Sequence, residues 1–135
     1  MVEYISNQER ITKPDYIIYN ALSDFNNFTP ILKDKVEGWC VEGETCSFKV
    51  SGFNVKLSIV DKQQNKSIKL TGVDIPFEFY FWIQLKGVAP DDTRMRLVVH
   101  AKLNAMMKMM VGKKLQKGIN EMASQIATAF NQTPY

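Results

Sequence analysis

Cysteine and histidine are scarce in this sequence, and their scarcity limits the chemistry it can support. The 135 residues contain two cysteines, Cys40 and Cys46, and a single histidine, His100. A structural zinc site uses four Cys or His ligands, so these three residues cannot supply one. The sequence also has no glycine-rich phosphate loop. We therefore expect no metal and no cofactor.

Long apolar runs are missing as well. No segment approaches the roughly 18 consecutive apolar residues of a membrane-spanning helix. The first ten residues, MVEYISNQER, are polar and include two acids, whereas a signal peptide has a basic start and an apolar run. These features predict a cytoplasmic protein without integral membrane association. A processed chain that has lost a signal peptide is the alternative.

The overall composition is that of an ordinary globular protein. Apolar residues make up 45% and charged residues 23% of the chain. Two Trp, five Tyr and eight Phe provide enough apolar surface for a folded core, so disorder is not expected. The length fits a single domain over residues 1–135.

The net charge of +3 is unevenly distributed. Residues 1–100 hold 12 Lys or Arg against 13 Asp or Glu, whereas residues 101–135 hold five Lys against Glu121 alone. The positive charge therefore lies near the C-terminus. It could attract an acidic partner or lipid headgroups, or the lysines could simply solvate the outer face of a helix.

The N-terminal third predicts one strand and two short helices. Over residues 3–11, Ile5 and Ile11 share one phase of an alternating pattern, which predicts a strand with one buried face. Pro14 suits the first turn of a helix, which we place over 14–22. A second short helix follows over 24–34.

From residue 36 the apolar period changes from helical to alternating, which predicts six further strands. They cover residues 36–41, 45–52, 54–60, 67–73, 76–87 and 93–103. A turn over 42–44 would set Cys40 and Cys46 opposite each other in a hairpin. They could form a strained disulfide there, but two small buried thiols are the favoured interpretation.

A long amphipathic helix ends the chain. Asn104 can cap it, and it continues to about residue 131. Its apolar stripe consists of Met107, Val111, Leu115, Ile119, Met122, Ile126 and Phe130. One helix can cover the apolar face of a seven-stranded sheet only if the sheet curls around it. The sequence thus predicts an α+β helix-grip fold, with a curved antiparallel sheet around the C-terminal helix and two short helices between strands 1 and 2.

This order of elements resembles the START-like superfamily, also called SRPBCC or Bet v 1-like, and in particular its small bacterial polyketide cyclase/dehydrase and lipid-transport-like members. The residues that carry the resemblance are Lys13-Pro14-Asp15, Leu22-Ser23-Asp24-Phe25, Pro76-Phe77-Glu78-Phe79, Thr93-Arg94-Met95-Arg96-Leu97, Leu103-Asn104-Ala105-Met106 and Gly112-Lys113-Lys114-Leu115-Gln116. The resemblance covers nearly the whole chain. It implies a hydrophobic pocket between sheet and helix, and it implies no catalytic motif.

The predicted pocket is lined by the inward residues of the sheet and the helix. They are Phe48, Val50, Leu57, Ile59, Ile68, Leu70, Phe79, Phe81, Ile83, Met95, Leu97, Val99, Val111, Leu115, Ile119 and Met122. Because most are bulky, they could instead fill a solid core. Lys108 could bind a ligand carboxylate or phosphate at the entrance, or could extend past the sheet edge into solvent.

Other features allow both structural and functional readings. Gly118 is predicted on the inward side of the last helix. The cluster of Met106, Met107, Met109 and Met110 could form a flexible pocket mouth or a partner surface, or could be covered by the short helices. His100 is predicted on the outer face, where a general base cannot reach a ligand inside the sheet.

The outer face also carries Tyr80 and Trp82 beside Arg94 and Arg96. This combination could stack on nucleic acid, but cross-strand pairing is the favoured reading, so no nucleic-acid partner is expected.

Three functions remain open from the sequence. The first is binding or transport of a small hydrophobic or amphipathic ligand, such as a lipid or polycyclic metabolite. The second is a polyketide cyclase or dehydratase-like enzyme, although the inward rows offer little ionisable chemistry. The third is a protein-interaction module of the chaperone-activator kind, contacting its partner through the basic helix. A weak homodimer is also left open.

Overall fold

A computed structural model describes residues 1–50 and 53–133, with only the backbone of Val50 and Phe53. In chain order the elements are β1 Val2–Ile5, β2 Glu9–Ile11, α1 Asp15–Leu22, a 3-10 turn Phe25–Phe28, α2 Thr29–Leu32, β3 Glu37–Glu42, β4 Thr45–Val50, β5 Phe53–Gln63, β6 Ser67–Gly72, β7 Phe79–Ala89, β8 Asp92–Ala101 and α3 Ala105–Gln132. The predicted helix-grip order is confirmed. The end of the predicted strand 45–52 lies outside the described residues.

The strands form one antiparallel sheet in the order β1-β8-β7-β6-β5-β4-β3, and β2 also pairs with β8. Register shifts interrupt the pairing of β3 with β4, β5 with β6 and β7 with β8. Such bulges bend a strand and increase its twist, which gives the sheet the curvature needed to wrap a helix.

The sheet has eight strands rather than seven because the predicted first strand is divided at Ser6. The Ser6 N–H donates to Leu97 O, and the Ser6 hydroxyl accepts from the Leu97 N–H, both at 2.8 Å. The pairing with β8 slips by one residue across this break. A one-residue slip reverses the two faces, so Ile5 is 40% exposed whereas Ile11 is fully buried. The prediction that these two residues share a face was wrong.

The β3–β4 hairpin also differs from its prediction. Its turn has two residues, Gly43 with a φ of 60° and Glu44, because Glu42 pairs with Thr45. Cys46 therefore pairs with Val41 and not with Cys40. Both thiols are free, with Cys46 buried and Cys40 exposed, so the prediction of two buried thiols holds for Cys46 alone.

The short helices lie where the sequence predicts them and cover the sheet near β3. Phe25, Phe28 and Leu32 are buried. The Phe28 ring stacks on Trp39 with centroids 6.5 Å apart, and Trp39 Nε1 donates to Thr29 Oγ1 at 2.8 Å. These contacts hold the segment between α1 and β3 against strand β3.

The last helix, α3, begins after Asn104, whose side-chain oxygen accepts from the Met107 N–H at 2.8 Å. It packs against β1, β2, β8 and α2. Its fully buried residues are Gly112, Ile119, Ala123, Ile126 and Ala127. The predicted stripe was rotated relative to this face, because glycine and alanine, rather than the largest side chains, allow the helix to approach the strands closely. Gly118 is exposed, which corrects its predicted inward position.

Candidate ligand-binding site

Most residues predicted to line a pocket lie together in the core. Leu57, Ile59, Ile68, Leu70, Phe81, Ile83, Met95, Leu97, Val99 and Ile119 are all buried and belong to one hydrophobic cluster. Phe48, Phe79 and Met122 are half-buried and pack against that cluster. The side chain of Val50 lies outside the described residues. The inward rows were thus assigned correctly, and much of the predicted pocket is packed interior.

Burial is not uniform across the concave face. Inward residues of β6 and β8, such as Leu70 and Leu97, have at most 2% of their surface exposed. Inward residues toward the other edge, such as Phe48 on β4 and Val55 on β5, are half-buried. Because α3 packs mainly on β1, β2 and β8, it seals one side of the interior more completely than the other.

Amide side chains fix one flank of α3 to the sheet edge. Gln116 Nε2 donates to Ile5 O at 2.8 Å, and Asn120 Oδ1 accepts from the Asn7 N–H at 2.9 Å. Near the end of the helix, Asn131 Oδ1 accepts from the Thr12 N–H at 2.8 Å. These bonds satisfy the backbone of the interrupted edge strand. They also determine which way the helix is turned.

The opposite flank of α3 is apolar and incompletely covered. Val111, Leu115 and Met122 lie on the other side of the buried stripe from Gln116 and Asn120, since successive residues of a helix are turned by about 100°. All three are half-buried. We call these three residues the open flank.

A groove of about 470 Å³ lies at the β3–β5 side of the sheet. Phe48 and Val55 line it together with Lys49, Lys56 and Asp74. The groove therefore combines apolar surface with charges of both signs. A second surface groove, of about 480 Å³, lies between the start of α1 and the β7–β8 turn. Neither groove is lined by a residue of α3.

Tyr4 is an inward polar residue that the sequence analysis did not identify. Its hydroxyl is buried and has no hydrogen-bond partner, the one such side-chain atom within residues 1–50 and 53–133. It lies against Gly112, where an added Cβ would be 2.8 Å from Tyr4 Oη. The alternating phase of Val2 and Tyr4 could have shown that Tyr4 points inward. The phenol oxygen is therefore enclosed between β1 and α3.

Lys108 is exposed at the start of α3. It precedes Leu115 by seven residues, as Leu115 precedes Met122, so all three lie along the same side of the helix. Its predicted role in binding a ligand anion stays a prediction.

The outer face of the sheet carries a separate polar and aromatic cluster. His100 lies there as predicted, with Nε2 2.6 Å from Glu3 Oε2 and its ring edge-on to Trp82. Lys69 Nζ lies 4.8 Å from the centroid of the Tyr80 ring. Arg94 instead binds Asp92. Cross-strand pairing thus accounts for this surface.

Two shifted pKa values lie away from the open flank. Burial raises the pKa of Cys46 to about 12. A hydrogen bond from Arg94, together with the nearby charge of Arg10, lowers the pKa of Asp92 at the β7–β8 turn. Across the described ranges no group of three or more His, Cys, Asp or Glu residues could hold a metal ion. No helix in the described part is sufficiently long and apolar to cross a bilayer.

Comparison with solved structures identifies the architecture. No protein-family model and no curated protein matches the sequence. Norcoclaurine synthase from Thalictrum flavum, in complex with dopamine and hydroxybenzaldehyde, is 12% identical and superposes with a TM-score of 0.78, over 99% of this chain and 90% of that chain. A Thermobifida fusca protein solved by NMR has a TM-score of 0.75 at 9% identity, over 100% and 98%. The Aha1 dimer from Colwellia psychrerythraea has a TM-score of 0.64 at 18% identity, over 98% and 100%.

The chain has the START-like fold. This confirms the fold that the resemblance implied. Identities of 9–18% establish the architecture alone. One such fold can host unrelated functions, so the function of this START-like chain has to be argued from its own residues.

Proposed function

We propose that this START-like protein binds a small hydrophobic or amphipathic molecule, such as a lipid or a polycyclic metabolite, at the open flank. The observation that carries the proposal is the difference between the two flanks of α3. One flank is hydrogen-bonded to the sheet edge through Gln116 and Asn120. On the other, the apolar side chains of Val111 and Leu115 are only half-buried.

The expected gain in binding free energy comes from covering the apolar surface of the open flank. Burial of apolar surface contributes about 25 cal/mol per Å². A ligand that covers about 200 Å² of the open flank and its surroundings would therefore gain roughly 5 kcal/mol before the entropy of binding is subtracted. This magnitude suits a reversible carrier rather than a permanent complex.

Two polar groups support an amphipathic ligand over a pure hydrocarbon. Lys108 lies on the same side of the helix as Leu115 and can pair with a carboxylate or phosphate. The buried Tyr4 hydroxyl can donate to a ligand oxygen if the ligand reaches the interior beside Gly112. Binding sites for small molecules commonly combine an apolar surface with a few such groups. The norcoclaurine synthase complex shows that a protein of this fold can hold small molecules.

Displacement of the neutral dye Nile red would test the site. We expect the dye to fluoresce on binding to the wild-type protein and to bind Leu115→Trp at least about tenfold more weakly. Filling the flank with an indole ring would remove about 60 Å² of contact, worth about 1.5 kcal/mol, which corresponds to about a tenfold change in Kd.

Ser124→Trp is the matched control, because it adds the same ring to an exposed position of the same helix. Its dye affinity should equal that of the wild type. Urea unfolding of both variants checks that neither has lost its fold. Equal dye affinity in wild type and Leu115→Trp would place the ligand elsewhere and refute the proposed site.

A further inference from the structure

The start of α3 exposes an unusual amount of apolar surface. Met106, Met109 and Met110 are 70%, 85% and 65% exposed. Three large apolar side chains within five positions form a patch rather than isolated exposed residues. Exposed apolar patches of this kind commonly mark surfaces that bind a partner or a membrane.

The same half of the helix carries positive charge without acidic neighbours. Lys108, Lys113, Lys114 and Lys117 are all exposed. None of them forms an ion pair with another residue of the described chain. Residues 101–120 contain five lysines and no acid, and Glu121 is the first carboxylate of α3. The charge of this surface is therefore free to act on a partner.

The surface extends from the helix to the end of the sheet. Val2 pairs with Ala101, so Met1, which is 60% exposed, lies next to Lys102 at the edge of the sheet where α3 begins. Lys102 is also exposed. We name this region the Met-Lys surface, after its main residues Met106, Lys108, Met109, Met110, Lys113 and Lys114.

We propose that the Met-Lys surface docks the protein on an anionic lipid bilayer. Lysines on flexible stems suit a diffuse layer of phosphates, and unbranched methionines adapt to an irregular acyl boundary. Protein interfaces are rich in aromatic residues, methionine and arginine and poor in lysine. Residues 105–120 contain no aromatic residue and no arginine. The composition therefore favours lipid over an acidic protein.

This inference does not depend on the proposed ligand. The two sites meet only at Lys108, because Met106, Met109 and Met110 are turned from it by about 100–160° around α3. Either site could exist without the other, because the vesicle assay below involves no ligand of the interior.

Cosedimentation of the full chain with vesicles tests the docking. We expect binding to vesicles with roughly one third phosphatidylglycerol in phosphatidylcholine, weak binding to pure phosphatidylcholine, and loss of binding at high salt. Replacing Lys108, Lys113, Lys114 and Lys117 by Gln should weaken partition at least about 100-fold, since each lysine near an anionic surface is worth about a fivefold change. Replacing Met106, Met109 and Met110 by Ser should also weaken it, with the charge unchanged.

A second quadruple variant controls for net charge. Replacing the exposed Lys33, Lys35, Lys66 and Lys86 by Gln removes the same charge from other surfaces. It should retain wild-type binding. An equal loss in both quadruple variants would mean general attraction and would overturn the proposal, as would a wild-type protein that ignores anionic vesicles.

Light scattering during gel filtration, together with partner capture, distinguishes lipid from the two other possible partners of the Met-Lys surface, a second copy of the chain and an acidic protein. A wild-type dimer that the Met→Ser substitutions convert to a monomer, with no change in vesicle binding, would make this surface a contact between copies and refute lipid docking. Retained binding in the Met→Ser variant together with selective capture of an acidic protein would refute it in favour of that partner. All substituted residues in the three variants are exposed, so we expect each variant to keep the wild-type unfolding midpoint.

Discussion

The contact between Gly112 and Tyr4 permits a quantitative test of how α3 is seated on the sheet. A Cβ added at Gly112 would lie 2.8 Å from Tyr4 Oη, but the next nearest atoms, Cζ and Cε1 of the same ring, would be 3.7 and 3.8 Å away. One hydroxyl oxygen thus accounts for the whole steric conflict. The substitution Tyr4→Phe removes that atom and leaves the ring in ordinary van der Waals contact.

The expected magnitudes follow from three effects. Replacing a mid-helix glycine by alanine stabilises a helix by about 1 kcal/mol. Overpacking a fitted contact costs about 1–3 kcal/mol. Gly112→Ala in the wild-type chain should therefore lower the free energy of unfolding by about 0–2 kcal/mol. The same substitution in the Tyr4→Phe background should raise it by about 1 kcal/mol, which gives a coupling of about 1–3 kcal/mol between the two positions.

Urea unfolding of the four proteins in this cycle measures the coupling. With a slope of about 1–3 kcal/mol per molar urea, the expected changes move the midpoint by several tenths molar. Tyr4→Phe alone should be neutral or stabilising, because it removes a buried hydroxyl that has no partner.

Gly118→Ala supplies the matched control. An added Cβ at Gly118 meets no atom within 4 Å, so this variant should gain about the full 1 kcal/mol of helix propensity in either background. Additive effects of Gly112→Ala and Tyr4→Phe would show that the two residues do not touch. The described seating of α3 against β1 would then be incorrect.

Four further outcomes follow from individual groups. A thiol reagent at mildly alkaline pH should label the exposed Cys40 and leave the buried Cys46 unmodified until the protein is unfolded, and fast labelling of both would contradict the burial of Cys46. Burial raises the pKa of Cys46 to about 12 from 9.0, so the Cys46 thiol ionises at lower pH in the unfolded chain than in the folded protein. The free energy of unfolding should therefore fall as the pH rises above 9, and the urea midpoint of Cys46→Ala should fall less steeply with pH than that of the wild type. Arg94 lowers the pKa of Asp92 below its ordinary value of 3.8, so ionised Asp92 stabilises the folded protein above that pH, and this stabilisation is lost on acidification. In a plot of urea midpoint against pH, Asp92→Asn should therefore show a smaller fall in acid than the wild type. Asn104→Ala should cost about 1 kcal/mol in thermal unfolding through loss of the α3 cap, and an unchanged transition would argue against that cap.

Local periodicity was sufficient to predict most elements of the fold. Helix α1 begins beside Pro14, and the alternating rows of β7 and β8 put Ile83, Leu97 and Val99 in the core, because both signals depend on residues close in sequence. The architecture followed from the need to cover a wide apolar sheet with one helix.

The features that could not be predicted depend on distant partners. The division between β1 and β2 requires Ser6 to exchange hydrogen bonds with Leu97, 91 residues away. The rotation of α3 depends on Gln116 reaching Ile5 O, 111 residues away. Large apolar side chains led us to predict Leu115 as a buried helix position, whereas the fully buried residue is Gly112, one turn earlier. No local pattern contains either pairing.

The interrupted edge strand and the candidate site are consequences of one arrangement. Breaking the strand at Ser6 leaves the backbone N–H of Asn7 without a strand partner, and Asn120 of α3 accepts its hydrogen bond. Because Asn120 provides this hydrogen bond, the side of α3 that carries Gln116 and Asn120 faces the sheet edge. A rigid helix turned in that direction must direct its opposite flank, with Val111 and Leu115, away from the same edge. Val111 and Leu115, which the predicted apolar stripe placed in the core, are therefore left half-buried, and their uncovered apolar surface is what the proposed ligand would cover.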